Sequence, residues 1–264
     1  MERFGLSERY SCELVDIGRS SHRYQVLTDP HKDDALRKRM REVAENNRRW
    51  GCPLIHDIVK REGLVENHKR TERIYREEGL IIRKRKRKRH GAAANRVERP
   101  KPTAPNQSWS MDFMSDCLET GRKLRLLNVV DDFTRECLAI VVDTSISGLR
   151  VSRTLDDLIA ERSKPASITT DNGPEFTSRA LDSWAFKKGV KINYIRPGKP
   201  NENAYIESFN GRFRDECLNE NWFSTIPETR EITERWRDKY NFYRPHSSLN
   251  RIPPKEFAKQ FVLN

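Results

Sequence analysis

Residues 83–89 read RKRKRKR, and residues 99–107 read RPKPTAPNQ. Seven like charges in a row repel one another, and three prolines within nine residues stiffen the backbone and remove amide donors. Neither stretch suits a packed core. They divide the chain into residues 1–82, a linker over 83–107, and residues 108–264. The flanks differ in period. Before the linker, apolar residues recur at three- and four-residue steps, the repeat of a helix. After it they form short runs suited to strands, mixed with further helices.

In the first part, Ser7 is placed to cap a short helix that Leu14 and Val15 continue, and Gly18 turns the chain toward a second short helix capped by Ser20 or Ser21. Over residues 33–47, Leu36, Met40, Val43 and Asn47 share one helical face, with Trp50 beyond them. A helix over 54–61 is ended by Gly63, and Asn67 caps another, running to residue 78 with Ile74 and Tyr75 inward. Helix, glycine turn and capped helix make a helix-turn-helix pattern, which puts His68, Lys69, Arg70 and Arg73 on a side that can meet DNA. Arg83, Lys84, Arg85, Lys86, Arg87, Lys88 and Arg89 would replace counterions along phosphates without reading bases. Charge supports a nucleic-acid partner. Residues 1–105 hold 27 Lys and Arg against 16 Asp and Glu, whereas residues 106–264 hold 24 against 23.

Beyond the linker, strands are predicted over 108–115, 123–130, 137–142, 167–171 and 191–195, with helices over 149–160, 178–188, 203–218 and 225–240. The order βββαβαβαα implies an α/β mixed sheet with helices on both faces. No stretch of 18 apolar residues suggests a membrane span, and MERFGLSERY lacks the apolar core of a signal peptide, so a cytoplasmic protein is expected. Cys12, Cys52, Cys117, Cys137 and Cys217 are scattered and odd in number, which favours reduced, buried thiols over disulfides or a zinc knuckle.

Three acids stand out by position. Asp112 lies within WSMDFM, a strand otherwise suited to burial, where an ionised carboxylate needs a partner. Asp171 lies where a strand gives way to the turn NGP, and Glu207 lies on a helix in NAYIESFNGRFR. Asp116, Asp131, Asp132 and Glu175 are nearby decoys, with Asp131 and Asp132 read as shaping a turn and Glu175 as orienting a loop. Asn203, Asn210 and Arg214 lie at −4, +3 and +7 from Glu207 and share its helical face, where they and Lys199 can meet a carboxylate or DNA; Tyr205, Ile206 and Phe209 are read as core.

Thirty-five residues separate Asp171 from Glu207. With that spacing, the sequence resembles the DDE superfamily of retroviral-type integrases and transposases. The words WSMDFM, VVDDFTRECLAI, TDNGPEF, GKPNENAYIESFNGRFRDECL and YNFYRPHSSLNRIPP resemble one branch, the bacterial insertion-sequence transposases encoded by a second reading frame. Residues 48–80 (RRWGCPLIHDIVKREGLVENHKRTERIYREEGL) resemble that branch's helix-turn-helix unit, so the likeness spans nearly the whole chain. The resemblance implies an RNase H-like catalytic core over 108–264 preceded by an all-α region. It also implies a metal site of Asp112, Asp171 and Glu207, with Asp112 shared between two ions. Oxygen-only ligands favour Mg²⁺ or Mn²⁺ over zinc. The implied activity is polynucleotidyl transfer: cleavage at the ends of a mobile element, then joining of the 3′-hydroxyl to target DNA. The implied partners are double-stranded DNA, further copies of the chain on that DNA, and the product of an upstream frame. A two-metal site needs no histidine base, so Arg244-Pro245-His246 is read as structural or DNA-facing. Two other readings compete: an RNase H-type nuclease without joining, and a DNA-binding regulator, which leaves the three acids unexplained.

Overall fold

The computed structural model describes residues 5–24, 31–82, 101–196 and 200–261. The basic run Arg83 to Arg89 and Lys199 lie outside the described residues.

Five helices come first: α1 (Glu8–Leu14), α2 (Arg19–Arg23), α3 (Asp34–Glu45), α4 (Cys52–Arg61) and α5 (His68–Glu77). Ser7 caps α1 as its hydroxyl predicts, but Leu14 and Val15 are exposed rather than part of an apolar face, and α1 is tied to α2 by Arg23 and Glu8 at 2.7 Å. The next three helices bury what their periodicity marks. Leu36, Met40 and Val43 of α3 meet Ile55, Ile58 and Val59 of α4 and Ile74 and Tyr75 of α5, with Trp50 beside them. Gly63 makes the turn after α4 at a φ of 74°, where a side chain would be strained, and Asn67 caps α5 by accepting from Lys69 N at 2.9 Å.

The second part is a five-stranded sheet of β1 (Ser108–Cys117), β2 (Lys123–Asp131), β3 (Cys137–Asp143), β4 (Ser167–Thr170) and β5 (Lys191–Tyr194), in the order β3-β2-β1-β4-β5. The first three strands form an antiparallel meander, while β4 joins β1 and β5 joins β4 in parallel. Parallel neighbours need crossovers, supplied by α6 (Gly148–Glu161) and α7 (Arg179–Lys188). These helices cover one face with Trp109, Met111, Leu127, Val151, Leu155, Phe176 and Trp184. On the other face α8 (Ala204–Glu216) and α9 (Ile226–Phe242) bring Phe209, Phe213, Trp236 and Tyr240 onto Met114, Leu124 and Leu126. Truncating one of those buried phenylalanines to alanine costs about 3–5 kcal/mol. Thr225 and Glu228 form a reciprocal capping box that fixes where α9 begins.

Three features depart from these expectations or add to them. The last residues of the expected linker are tied to the sheet domain: Asn106 N donates to Asp131 Oδ2 at 2.7 Å and Gln107 O accepts from Ala166 N. A short α10 (Pro254–Lys259) follows the YRPH word; six residues hold too few periods to show in sequence. None of the five cysteines is in a disulfide, but Cys117, at the end of the central strand β1, is exposed and Cys52 half-buried rather than buried. No described helix is long and apolar enough to cross a membrane.

The helical unit docks on α8 and α9. Trp50 Nε1 donates to Glu216 at 3.2 Å, its ring stacks on Tyr243 at 5.8 Å, and Arg49 pairs with Glu220 at 2.6 Å. Arg251 reaches the buried Asp57 of α4 at 3.1 Å.

Candidate active site

The register of the parallel pair aligns Ser108 with Ser167 and Ser110 with Thr169. Two residues further along, the same offset sets Asp112 beside Asp171, where β4 has just ended, and adjacent strands stand about 4.8 Å apart. Side chains alternate across a strand, so Asp112 and Asp116 share the face of Met114, which packs under α8.

From α8, Asn210 Nδ2 donates to Asp112 Oδ2 at 2.8 Å, and one turn on, Arg214 donates to Asp116 at 3.0 Å and to Ser115 O at 2.8 Å. Asn203, 5% exposed, donates to Met111 O at 3.3 Å. The three residues predicted to share Glu207's face therefore bind helix to strand. Asn128 completes the frame. Fully buried and directly across β2 from Asp112, it donates to Asn210 Oδ1 at 2.8 Å, which fixes the direction of the Asn210 amide. Sequence reasoning missed Asn128, although a lone amide within LRLLNVV was a signal.

The loop after β4 is fastened from several sides. Asp171 Oδ1 accepts from Gly173 N at 3.0 Å, closing the predicted turn. Glu175 pairs with Arg125, whose guanidinium lies 4.1 Å from the Phe113 ring centre, and Phe113 stacks on Phe176 at 4.8 Å. Glu175 thus orients the loop, as its position suggests. Gly148 at the start of α6 allows that loop to approach: a Cβ there would lie 1.9 Å from Ser178 Oγ and 2.8 Å from Glu175 O.

Glu207 stands in the first turn of α8 and is exposed. Burial, joined by the negative charges of Asp171 and Glu207, pushes the Asp112 carboxyl up to about 6 against hydrogen bonds from Phe113 N and Asn210. Glu207 is also raised by desolvation. The structure thus brings Asp112 and Asp171 together and sets Glu207 within electrostatic reach. Among the described residues no three metal-binding side chains are already drawn together as a closed site. The donor set is oxygen only, and its half-buried acid is disfavoured by its own neighbours. Both properties fit divalent Mg²⁺ or Mn²⁺.

The decoys are satisfied elsewhere. Asp131 accepts from Phe133 N and Thr134 N, each at 2.8 Å, and so shapes the turn. Asp132 does not: it accepts from the hydroxyls of Ser108 at 2.7 Å and Ser110 at 2.5 Å. Its carboxyl is also pushed up to about 6, chiefly by burial, so a raised acid alone does not mark a site here. Ile206 and Phe209 are core as expected, whereas Tyr205 is half-buried with Arg135 stacked on its ring at 3.8 Å.

On α5, Lys69 is exposed, while Arg70 and Arg73 are both held by Asp33, at 2.8 and 2.7 Å. Arginines already paired with a carboxylate reach a phosphate only by exchanging one anion for another.

Models described as integrase core domain match residues 102–200 and 188–254, and one described as HTH-like domain matches residues 31–89. The chain is 51% identical to the insertion element IS407 uncharacterized 31.7 kDa protein of Burkholderia multivorans, over 97% of this chain and 92% of that protein. It is 29% identical to the transposase for insertion sequence element IS904 of Lactococcus lactis, over 81% of this chain and 89% of that protein. Among solved structures, a chain in the simian T-cell lymphotropic virus intasome bound to PP2A regulatory subunit B56 gamma superposes with a TM-score of 0.52. It covers 79% of this chain and 74% of that one at 16% identity, a likeness of fold.

Proposed function

The chain belongs to the bacterial insertion-sequence transposases of the DDE/integrase superfamily, and on that premise we propose that it cleaves DNA at the ends of its mobile element and joins the freed 3′-hydroxyl to target DNA. Asp112, Asp171 and Glu207 would hold the divalent ions, two of Mg²⁺ or Mn²⁺. When bound, the ions neutralise charge on the scissile phosphate and acidify the attacking hydroxyl. In the first step water attacks phosphorus and the 3′-oxygen leaves. In the second that 3′-hydroxyl attacks a target phosphorus, so one phosphodiester forms as another breaks and no covalent protein–DNA bond is needed.

The observation that carries this reading is geometric: the β1–β4 register sets the half-buried Asp112 beside Asp171, with Glu207 near enough for its charge to act on Asp112. Neighbouring like charges in a half-buried setting are costly unless cations join them. The chain's own part is to hold oxygens in place: Phe113 N and Asn210 orient Asp112, and Gly173 N orients Asp171. The helix-turn-helix of α4 and α5, with Lys69 at its exposed start, supplies DNA contact together with the basic run from Arg83 to Arg89 and Lys199. Copies of the chain assemble on element ends, alone or with an upstream-frame product.

The test is purified full-length protein with Mg²⁺, labelled element-end DNA and a target plasmid. Joined product is expected. Nicks without joining would mark a nuclease instead, and binding without either would leave a regulator.

A further inference from the structure

The YRPH word is not used by the acids. His246 is 5% exposed and lies 6.3 Å from the Tyr240 ring, edge to face. Its Nδ1 is 3.0 Å from Ser248 Oγ, and its buried Nε2 meets no partner. Burial, together with the charges of Arg212, Arg244 and Arg135, drives the imidazole down to about 3, so the ring is neutral. With the Ser248 hydroxyl donating to Nδ1, the ring hydrogen sits on Nε2 as a donor without an acceptor.

The three arginines are not equivalent. Arg244 is neutralised by Glu216, which it meets through several N–H groups, the shortest at 2.6 Å. Among the described residues Arg212 donates to Ser208 O at 3.0 Å, and burial lowers its pKa from the usual guanidinium value. Arg135 lies over the Tyr205 ring and donates to Asp132 O. Among the described residues neither Arg212 nor Arg135 forms an ion pair. Half-buried cations without a carboxylate in direct contact are unfavourable, and here two of them lie within electrostatic reach of an unpartnered histidine. Tyr205 and Arg212, seven residues apart, lie on one edge of α8, about half a turn from Glu207 at about 100° per residue. This surface therefore faces away from the acid trio.

We propose that Arg135, Arg212 and His246 form a phosphate-binding subsite that grips the DNA backbone at a second point, away from the reacting strand. The two guanidinium groups supply charge and paired donors, and His246 Nε2–H supplies a neutral third. The subsite draws on three separate sequence words, VVDDFTRECLAI, NGRFRDECL and YRPHSS, which meet only in the fold. The proposal rests on the DNA-transposing reading above.

The test measures anisotropy of a labelled element-end duplex with the full chain over a salt series, without divalent ions so that no chemistry intervenes. The R135Q/R212Q double variant is expected to bind roughly tenfold more weakly at moderate salt, with the slope of log affinity against log salt smaller by about one. R153Q removes an exposed charge from α6 and is expected to leave the slope unchanged. R212K, which keeps the charge, is expected to restore most of the slope that R212Q loses, a recovery that misfolding would not give. Wild-type affinity and slope in the double variant would overturn the proposal. If the wild-type protein joins strands while the slope is unmoved, this subsite alone fails. If the slope moves as expected but no strand is cleaved or joined, the transposing reading fails and the subsite stands.

Discussion

Glu136, buried in the turn between β2 and β3, and Asp112, half-buried on β1, are two acids of the same domain that the fold treats in opposite ways. Glu136 accepts from Arg162 at 2.7 and 3.1 Å and from Thr134 at 3.0 Å, and meets Lys255 at 3.1 Å. Burial alone would raise it, but these cations hold its carboxyl below the usual range. Asp112 receives one amide and one backbone N–H and faces two further acids instead of cations. An acid that serves the fold has its counter-charges built into the chain. One kept without them, among like charges, is set up for a cation from outside.

The strongest way to break this contrast is Glu136→Ala, which leaves Arg162 and Lys255 facing an empty site. Chemical denaturation should show a loss of about 3–5 kcal/mol, and a loss under 1 kcal/mol would mean the pair is not structural. Asp112→Asn should do the reverse. By relieving repulsion it should stabilise the ion-free protein by something on the order of 2 kcal/mol, read as a higher melting temperature in EDTA. Lower stability in that variant would argue that Asp112 has partners enough. A pH series comes next. Because the folded pKa of Glu136 is depressed, its contribution is full above the ordinary glutamate pKa and is lost as pH falls through the folded value. Wild type should therefore lose stability more steeply than Glu136→Gln below about pH 4.5, and parallel curves would count against it. The smallest effect is at Asn210→Ala, where removing the one side-chain donor to Asp112 should cost about 1 kcal/mol by denaturation.

Most of the architecture was legible because local rules and tertiary demands agreed. Strand alternation, the caps at Ser7 and Asn67 and the turn at Gly63 all recur where they were read. The pairing of Asp112 with Asp171 was legible only as an expectation from the family likeness, since no periodicity reveals that β1 and β4 are neighbours. Spacing on α8 put Asn203, Asn210 and Arg214 on one face but not what that face meets, which is β1. The role of Asp132 was misread because its partners, Ser108 and Ser110, come from another strand. The docking of Trp50 on Glu216 joins residues 166 apart, beyond any local signal.

The central claim is that Asp112, Asp171 and Glu207 hold divalent cations. Paramagnetic resonance of Mn²⁺ titrated into the protein with element-end DNA measures this directly, because bound ions leave the free-ion signal. The account predicts ions bound by wild type and lost in Asp112→Asn and Glu207→Gln, with DNA affinity kept. Equal Mn²⁺ uptake by wild type and both variants would contradict it.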